Sequence, residues 1–495
     1  MFSLETMLQL CIVLPFLAVV GIVALGRSPN LREAVTITTG LVVFYFVISL
    51  YSGLEQGERI TVQWWQLLPG LELSFSIEPL GMIFALVAGF LWPVTTLYAI
   101  GYMRAHHEEN QTRFYACFAV AIGSVMGIAF AGNLFTLFIF YEVLTLSTYP
   151  LVTHAGTEEA KKGGRIYLGI LLSTSIVFFL LAIISTWFVA GTLDFSAGGV
   201  FGPNADTTVV GVILVLFIFG IGKAAIMPFH RWLPAAMVAP TPVSALLHAV
   251  AVVKAGVFTV MKVLVLIFGI DLLQELPTSQ ALLYLAAATV LLSSLVAMRQ
   301  DNLKARLAYS TVSQLGYVTI GALLATSDGV IGGSMHIAMH AFAKITLFFC
   351  AGAILVAAHK SRISEMRGLG FQMPITMVAF FIASLSIIGV PPGGGTWSKW
   401  FLLVGTLETE QWIVMSVLLV SSLLNIAYLL PIPVRAFMSA GKDSSVRIAI
   451  KEAPLASLIA LCITALGSVI LFVYPQPLYE LASQILAYPE IIHAQ

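Results

Sequence analysis

Charge is what this sequence has least of. Only 10% of its 495 residues are Asp, Glu, Lys or Arg, the 24 basic residues balance the 24 acidic ones, and 59% are hydrophobic. With a mean hydropathy of +0.97, such a chain has too few polar groups to clothe a soluble globule, so a polytopic membrane protein is required. Zero net charge leaves no basic surplus to attract nucleic acid. Cysteine is also scarce: Cys11, Cys117, Cys350 and Cys462 stand singly in separate apolar segments. No CxxC or Cys/His spacing therefore offers a zinc site, an iron–sulfur cluster or a disulfide framework. Phosphate-cradling glycine loops, Ser/His/Asp sets, HExxH and dinucleotide fingerprints are missing too. The connections between apolar runs are short, so no cofactor is expected: there is no soluble domain to hold a flavin, a nucleotide or a metal cluster. No Lys or Arg precedes Arg27, and Glu5 stands ahead of the first apolar run, which is the wrong flank for a signal peptide. That run is expected to be a retained span.

What is present is a series of apolar runs, each near the roughly 20 residues that cross a bilayer. They fall at 7–25, 33–51, 79–101, 114–131, 133–152, 165–190, 208–228, 243–268, 281–298, 307–325, 332–358, 374–403, 411–434 and 454–474, about fourteen in all. Hydrocarbon admits only backbone that is hydrogen-bonded within itself, and these runs are too long and continuous for barrel strands. The expected fold is an all-α polytopic membrane protein of about fourteen transmembrane helices.

The basic residues alternate with these spans. Arg27, Arg32, Arg104, Arg113, Lys161, Lys162, Arg165, Arg231, Arg299, Lys304 and Arg306 fall in or beside odd-numbered connections. So do Lys360, Arg362, Arg367, Arg435, Lys442, Arg447 and Lys451, whereas the even connections hold only Arg59, among acids such as Asp194, Asp206, Glu408 and Glu410. By the positive-inside rule the odd connections are expected in the cytoplasm and both termini outside, in a cell membrane.

Subtracting those residues leaves Lys223, Lys254, Lys262, Lys344 and Lys399 within spans, all of them lysines. A Lys at the centre of a membrane helix costs about 2.5 to 3.5 kcal/mol, so such residues are functional candidates. Arg keeps its proton in proteins, while Lys can hold or release one when buried. Lys262, near the end of its span, has a second reading as a residue that snorkels to the interface. Glu142, in 133-NLFTLFIFYEVLTLSTYPLV-152, is the acid expected deep in a span, with a lysine as its partner. At roughly 6 Å and an effective dielectric near 20, that attraction is about 3 kcal/mol. His336, His340 and Lys344 recur at every fourth position, a spacing that stacks them on one helix face about 6 Å apart. His248 stands six residues before Lys254, and 309-YSTVSQLGY-317 supplies further polar groups.

Two spans are expected to be broken. In the seventh, Lys223 precedes Pro228; in the twelfth, Pro391, Pro392 and three glycines precede Lys399. Membrane helices tolerate such interruptions where freed backbone lines a polar cavity. The breaks lie five spans apart and run in opposite directions, which points to inverted repeats. The implied units are an N-terminal segment 1–112, repeats 113–270 and 271–440, and a C-terminal span and tail 441–495.

The runs 229-FHRWLPAAMVAPTPVSALLHAVAVVKAGVF-258, 309-YSTVSQLGY-317 and 339-MHAFAKITLFFCAGA-353 resemble the antiporter-like proton-translocating subunits shared by Mrp-type cation/proton antiporters, respiratory complex I and membrane-bound hydrogenases. The resemblance covers nearly the whole chain. It implies two inverted five-helix units around a central charged axis. Glu142 matches the fifth-span glutamate, Lys223 the seventh-span lysine, Lys254 the eighth-span lysine and Lys399 the ionisable group of the broken twelfth helix. His248, His336, His340 and Lys344 match the polar axis between them. Ala235 departs from the family, which often has Asp there. Lys399 stands where one complex I paralogue carries Glu, which argues against that subunit, and the missing long lateral helix argues against the largest paralogue and the large first Mrp subunit. The resemblance therefore implies a subunit similar to the D subunit of an Mrp-type antiporter, which exchanges internal monovalent cation such as sodium for external protons and is partnered by other membrane subunits. Its alternative is a proton-pumping subunit of a redox-driven complex.

Overall fold

The computed structural model describes residues 2–68, 71–196, 198–438 and 449–487. Each apolar run of the sequence forms helix over most of its length, the seventh and twelfth with an interruption. The first six helices are α1 (Leu4–Ala24), α2 (Pro29–Glu55), α3 (Pro79–Ala105), α4 (Gln111–Ala129), α5 (Leu134–Val152) and α6 (Glu158–Ala190). The middle of the chain forms α7 (Thr207–Gly220), α8 (Thr241–Phe268), α9 (Pro277–Arg299), α10 (Leu303–Leu323) and α11 (Ser327–Ala358). The last five are α12 (Pro374–Ile388), α13 (Gly395–Glu408), α14 (Trp412–Ala436), α15 (Leu455–Val473) and α16 (Gln476–Ala487). Among the described residues, 11 helices are long and apolar enough to cross a membrane, with α7 and α12 shorter apolar pieces. Lys442 and Arg447, counted above with the basic connections, lie outside the described residues.

Local chemistry sets the helix starts. Asn133 accepts from Thr136 N at 2.8 Å, Asn302 from Ala305 N at 3.0 Å and Thr326 from Gly329 N at 3.1 Å, each satisfying a donor the first turn leaves open. Proline opens α2, α3, α9 and α12, where its missing N–H costs nothing. Gly191 and Gly389, with φ of 73° and 90°, close α6 and α12 in the left-handed region.

One element escapes the helical pattern. Residues between α2 and α3 form an antiparallel hairpin, β1 (Thr61–Leu68) with β2 (Leu71–Ser76). Its second strand docks on the α4–α5 connection: Ser76 N donates to Phe130 O at 2.8 Å, Gly132 N to Ser74 O at 2.9 Å, and Asn133 Nδ2 to Glu72 O at 2.9 Å. The polar–apolar alternation of Thr61, Val62, Gln63 and Trp64 is the strand signal that an expectation of helices alone passes over.

The helices are layered by burial. Every residue of the apolar window of α8 is buried, and 78% of those of α3 and α11, against 33% for α2, α6, α14 and α15. α8 is therefore the central post, and the one-third-buried helices present their remaining faces to lipid or neighbours. α11 packs against α3, α10, α12, α13 and α15. Close approach to α8 depends on glycine: a Cβ on Gly256 would meet the backbone of Lys223 and Ala224, with Lys223 O at 2.6 Å. Backbone cannot swing aside as a flexible side chain does. Gly256→Ala is therefore expected to overpack this contact at a cost of about 1–3 kcal/mol. The purified protein should melt at a lower temperature, while Gly169→Ala, with nothing within 4 Å of the added carbon, should melt with the wild type; equal melting of the two variants would contradict the contact.

Candidate functional site

Hydrogen bonding makes the site, because a buried ammonium needs acceptors that hydrocarbon does not supply. α7 ends at Gly220, and Lys223 sits on the 3₁₀ turn Gly222–Ala224 that follows, so the seventh span breaks before its lysine. The freed backbone is re-satisfied by side chains: Lys223 N donates to Tyr141 Oη at 3.1 Å, and Trp232 Nε1 donates to Gly222 O at 2.9 Å. Fully buried, the Lys223 ammonium donates to Tyr141 O at 2.8 Å and to Thr145 Oγ1 at 2.6 Å, and lies 3.1 Å from the centre of the Tyr141 ring. Glu142, expected to pair with a lysine, makes no ion pair with Lys223. The two interact electrostatically through space, and both Glu142 carboxylate oxygens are buried with no hydrogen-bond partner among the described residues.

α8 departs from ideal helix on both sides of Lys254, with π turns at Leu246–Val250 and Leu264–Phe268. Such bulges are frequent at functional sites. Lys254 Nζ is hydrogen-bonded to His340 Nδ1 on α11. One turn away, the His336 ring stacks on that of His340 with centroids 5.7 Å apart. His336 Nδ1 hydrogen-bonds Ser398 Oγ at 2.9 Å, and the same ring stacks on Tyr317 at 5.5 Å. Lys399 then lies 4.6 Å from the Tyr317 ring centre. Its ammonium donates to Ile387 O at 2.8 Å and Ile388 O at 3.1 Å, the carbonyls left open where α12 ends, and to Ser422 Oγ at 3.0 Å. The structure thus brings Lys254, His340, His336 and Lys399 into one contiguous chain, with Tyr317 and Ser398 as links.

The other candidates sit beside this chain. Lys344 turns from the histidines to α10, donating to Ser310 Oγ at 2.7 Å and Leu307 O at 3.3 Å. Ser310 also accepts from Tyr428 Oη at 3.0 Å, so Lys344 opens a side branch rather than a third rung. His248 is buried against Phe348, ring centres 4.6 Å apart, and neither ring nitrogen has a partner among the described residues. Lys262 does not snorkel: it is fully buried and paired with Glu78 at 2.6 Å. Glu142 lies in the middle of α5, while Glu33 and Glu78, at the starts of α2 and α3, are 3% and 4% exposed.

Sequence reasoning missed Tyr141, Thr145, Ser398, Ser422 and Glu78. Thr145 had a signal, one turn after Tyr141 on the helix that carries Glu142. Glu78 had none, because an acid just before Pro79 reads as an ordinary helix start.

A bundle of apolar helices enclosing a chain of lysines and histidines, with two helices interrupted beside lysines, defines a membrane protein of the antiporter-like proton-translocating type. Residues 131–425 match the family described as NADH:quinone oxidoreductase/Mrp antiporter, TM, and the chain belongs to that family. It is 33% identical over 429 residues to NADH-quinone oxidoreductase subunit N of Desulforudis audaxviator (strain MP104C), covering 84% of each chain. It is 31% identical over 416 residues to the A/B component of a probable K(+)/H(+) antiporter of Rhizobium meliloti (strain 1021), covering 82% of this chain and 40% of the relative. In structure it is similar to a chain of the Mrp complex from Dietzia sp. DQ12-45-1b, with TM-score 0.86, 22% identity and coverage of 98% and 97%. It also resembles a chain of an archaeal membrane-bound sulfane sulfur reductase, with TM-score 0.86, 25% identity and 97% coverage of both.

The Thr145 hydroxyl offers a direct check, since hydrogen bonds to charged groups are worth about 1.5–3 kcal/mol. Thr145→Val, which keeps the shape and removes one of the two acceptors of the Lys223 ammonium, should slow proton movement into vesicles roughly tenfold or more, the lower end of what a proton-transfer group contributes. Thr145→Ser should stay near the wild-type rate. Equal rates for the two would show that the hydroxyl does not serve Lys223.

Proposed function

We propose that this chain is a proton-relaying subunit of a multisubunit Mrp-type antiporter, similar to its D subunit, which exchanges internal monovalent cation for external protons. The observation that carries the reading is the buried chain Lys254–His340–His336–Lys399, which has protonatable groups at each step, with the Tyr317 ring packed between His336 and Lys399. A structural ion-pair network would join acids to bases; this chain joins bases to one another, an arrangement stable only if some of its members are unprotonated at any moment. Lys223 and Glu142 act as its charge-sensitive switch. An unpaired carboxylate in Coulombic range of a lysine can draw the ammonium away from Tyr141 and Thr145 when charge arrives from Lys254. Contact between Gly256 of α8 and the Lys223 turn supports that coupling. His248 and Lys344 extend the polar axis.

The two breaks support a reading as inverted repeats, 113–270 and 271–440, flanked by 1–112 and 441–495. Each places a buried lysine beside unwound backbone, although Lys223 borrows acceptors from α5 and Lys399 from the end of its own broken helix. We place the chain in the cell membrane with both termini outside, on the alternation of its basic connections.

A second reading, a proton pump within a redox-driven complex, is favoured by the likeness to subunit N over 84% of both chains. Copurification separates the two readings: small hydrophobic subunits alone mean an antiporter, and flavin or iron–sulfur subunits mean a redox complex. Both require the relay. Purified complex carrying Lys223→Ala or Glu142→Ala should lose about tenfold or more of its proton movement, the lower end of what a proton-transfer group contributes. Full retention by both would overturn their role as the switch.

A further inference from the structure

Lys262 stands outside the chain described above, yet it is built into the protein as firmly as any of its members. Its fully buried ammonium pairs with Glu78 Oε1 at 2.6 Å, donates to Ala131 O at 2.6 Å and lies 4.3 Å from the Phe195 ring centre. These partners come from different places in the sequence: Glu78 precedes α3, Ala131 lies between α4 and α5, Phe195 between α6 and α7, and Lys262 in the last part of α8. Four segments at one end of the bundle converge on a single charge. The hairpin covers the same place, since β2 is hydrogen-bonded to Phe130 and Gly132 on either side of Ala131.

The pair shares a helix with the relay. Lys262 is eight residues beyond Lys254 on α8, about 12 Å along the axis. Thr259, between them, has a buried hydroxyl with no hydrogen-bond partner among the described residues. So has Ser334, two residues before His336 on the adjacent α11. Orphaned buried hydroxyls are the kind of groups that ordered water satisfies.

We propose that Glu78 and Lys262 form an acid–base exchange station at the hairpin end of the relay, through which protons pass between Lys254 and that face of the membrane. The inference rests on the relay reading above and adds its terminus. In the exchange, an N–H bond of the Lys262 ammonium breaks as an O–H bond forms on Glu78, leaving a neutral amine and a neutral acid. Glu78 then releases the proton to water on the hairpin side, and the amine takes a proton from the Lys254 ammonium through intervening water, which restores the ion pair. The reverse order carries a proton inward.

A static ion pair would look the same in the structure, so the test must separate the two. Removing one partner strands a buried charge and destabilises the protein whatever its role, whereas replacing both by uncharged residues is commonly tolerated. The decisive variant is the double Glu78→Gln/Lys262→Met, purified as the intact complex and reconstituted in vesicles with a pH-sensitive dye. Exchange at this pair requires assembly at wild-type yield with proton movement slowed about tenfold or more, and partial rescue by the single variant Glu78→Asp. Transport within about twofold of wild type, or failure of the double variant to assemble, would mark the pair as structural and overturn the proposal. Lys254→Ala, measured alongside, separates the claims: if it abolishes transport while the double variant does not, the relay stands and only its terminus here is wrong. If Lys254→Ala transports normally, the relay itself fails.

Discussion

A lysine ammonium cannot be left without acceptors inside a hydrocarbon layer, and much of this structure follows from that constraint. A continuous membrane helix has already committed its carbonyls to its own backbone. The chain meets the need by interrupting helices or by turning lysines toward neighbouring ones. α12 stops at Ile388, and its terminal carbonyls receive Lys399. Lys223 sits on unwound backbone and reaches across to the carbonyl of Tyr141 and the hydroxyl of Thr145. Lys254 has a histidine as its partner, and a histidine can take a proton as well as accept a hydrogen bond. Of these partners the histidine and the hydroxyls can also pass a proton, whereas the backbone carbonyls only hold the ammonium in place.

Packing then holds the arrangement still. α8 is buried along its entire apolar window, so its side chains are fixed by protein rather than lipid. Gly256 lets it meet the Lys223 turn backbone to backbone, and Gly352 on α11 performs a similar service beside Tyr98 and Thr241. Stacking of Tyr317, His336 and His340 sets the spacing between rings. A relay in which each donor must lie near the next acceptor gains from a scaffold with so little freedom.

The architecture was largely legible in the sequence because hydrophobic length and the placement of Lys and Arg are one-dimensional signals. Each apolar run became helix over most of its length, and the lysines left over within spans proved to be buried. What was not legible was partner choice, which depends on how helices distant in sequence rotate against each other. Glu142 was expected to pair with a lysine, but the Lys223 ammonium found the neighbouring carbonyl and Thr145 instead. Lys344 keeps the helical spacing of the ladder, yet its side chain bends to Ser310 on α10. Lys262 seemed free to snorkel because Glu78, far off in the chain, gave no sign that it would fold beneath the hairpin. The hairpin itself was masked by its length, short beside the helices on either side.

The most direct test of the account is whether Lys254 and His340 act as one unit in proton movement. Rates measured in vesicles for Lys254→Ala, His340→Ala and the double variant form a cycle that isolates their interaction. If the proton passes from one to the other, the double variant should be no slower than the slower single one. Independent losses that multiply in the double variant would mean that the two residues serve separate purposes, and would contradict a continuous relay.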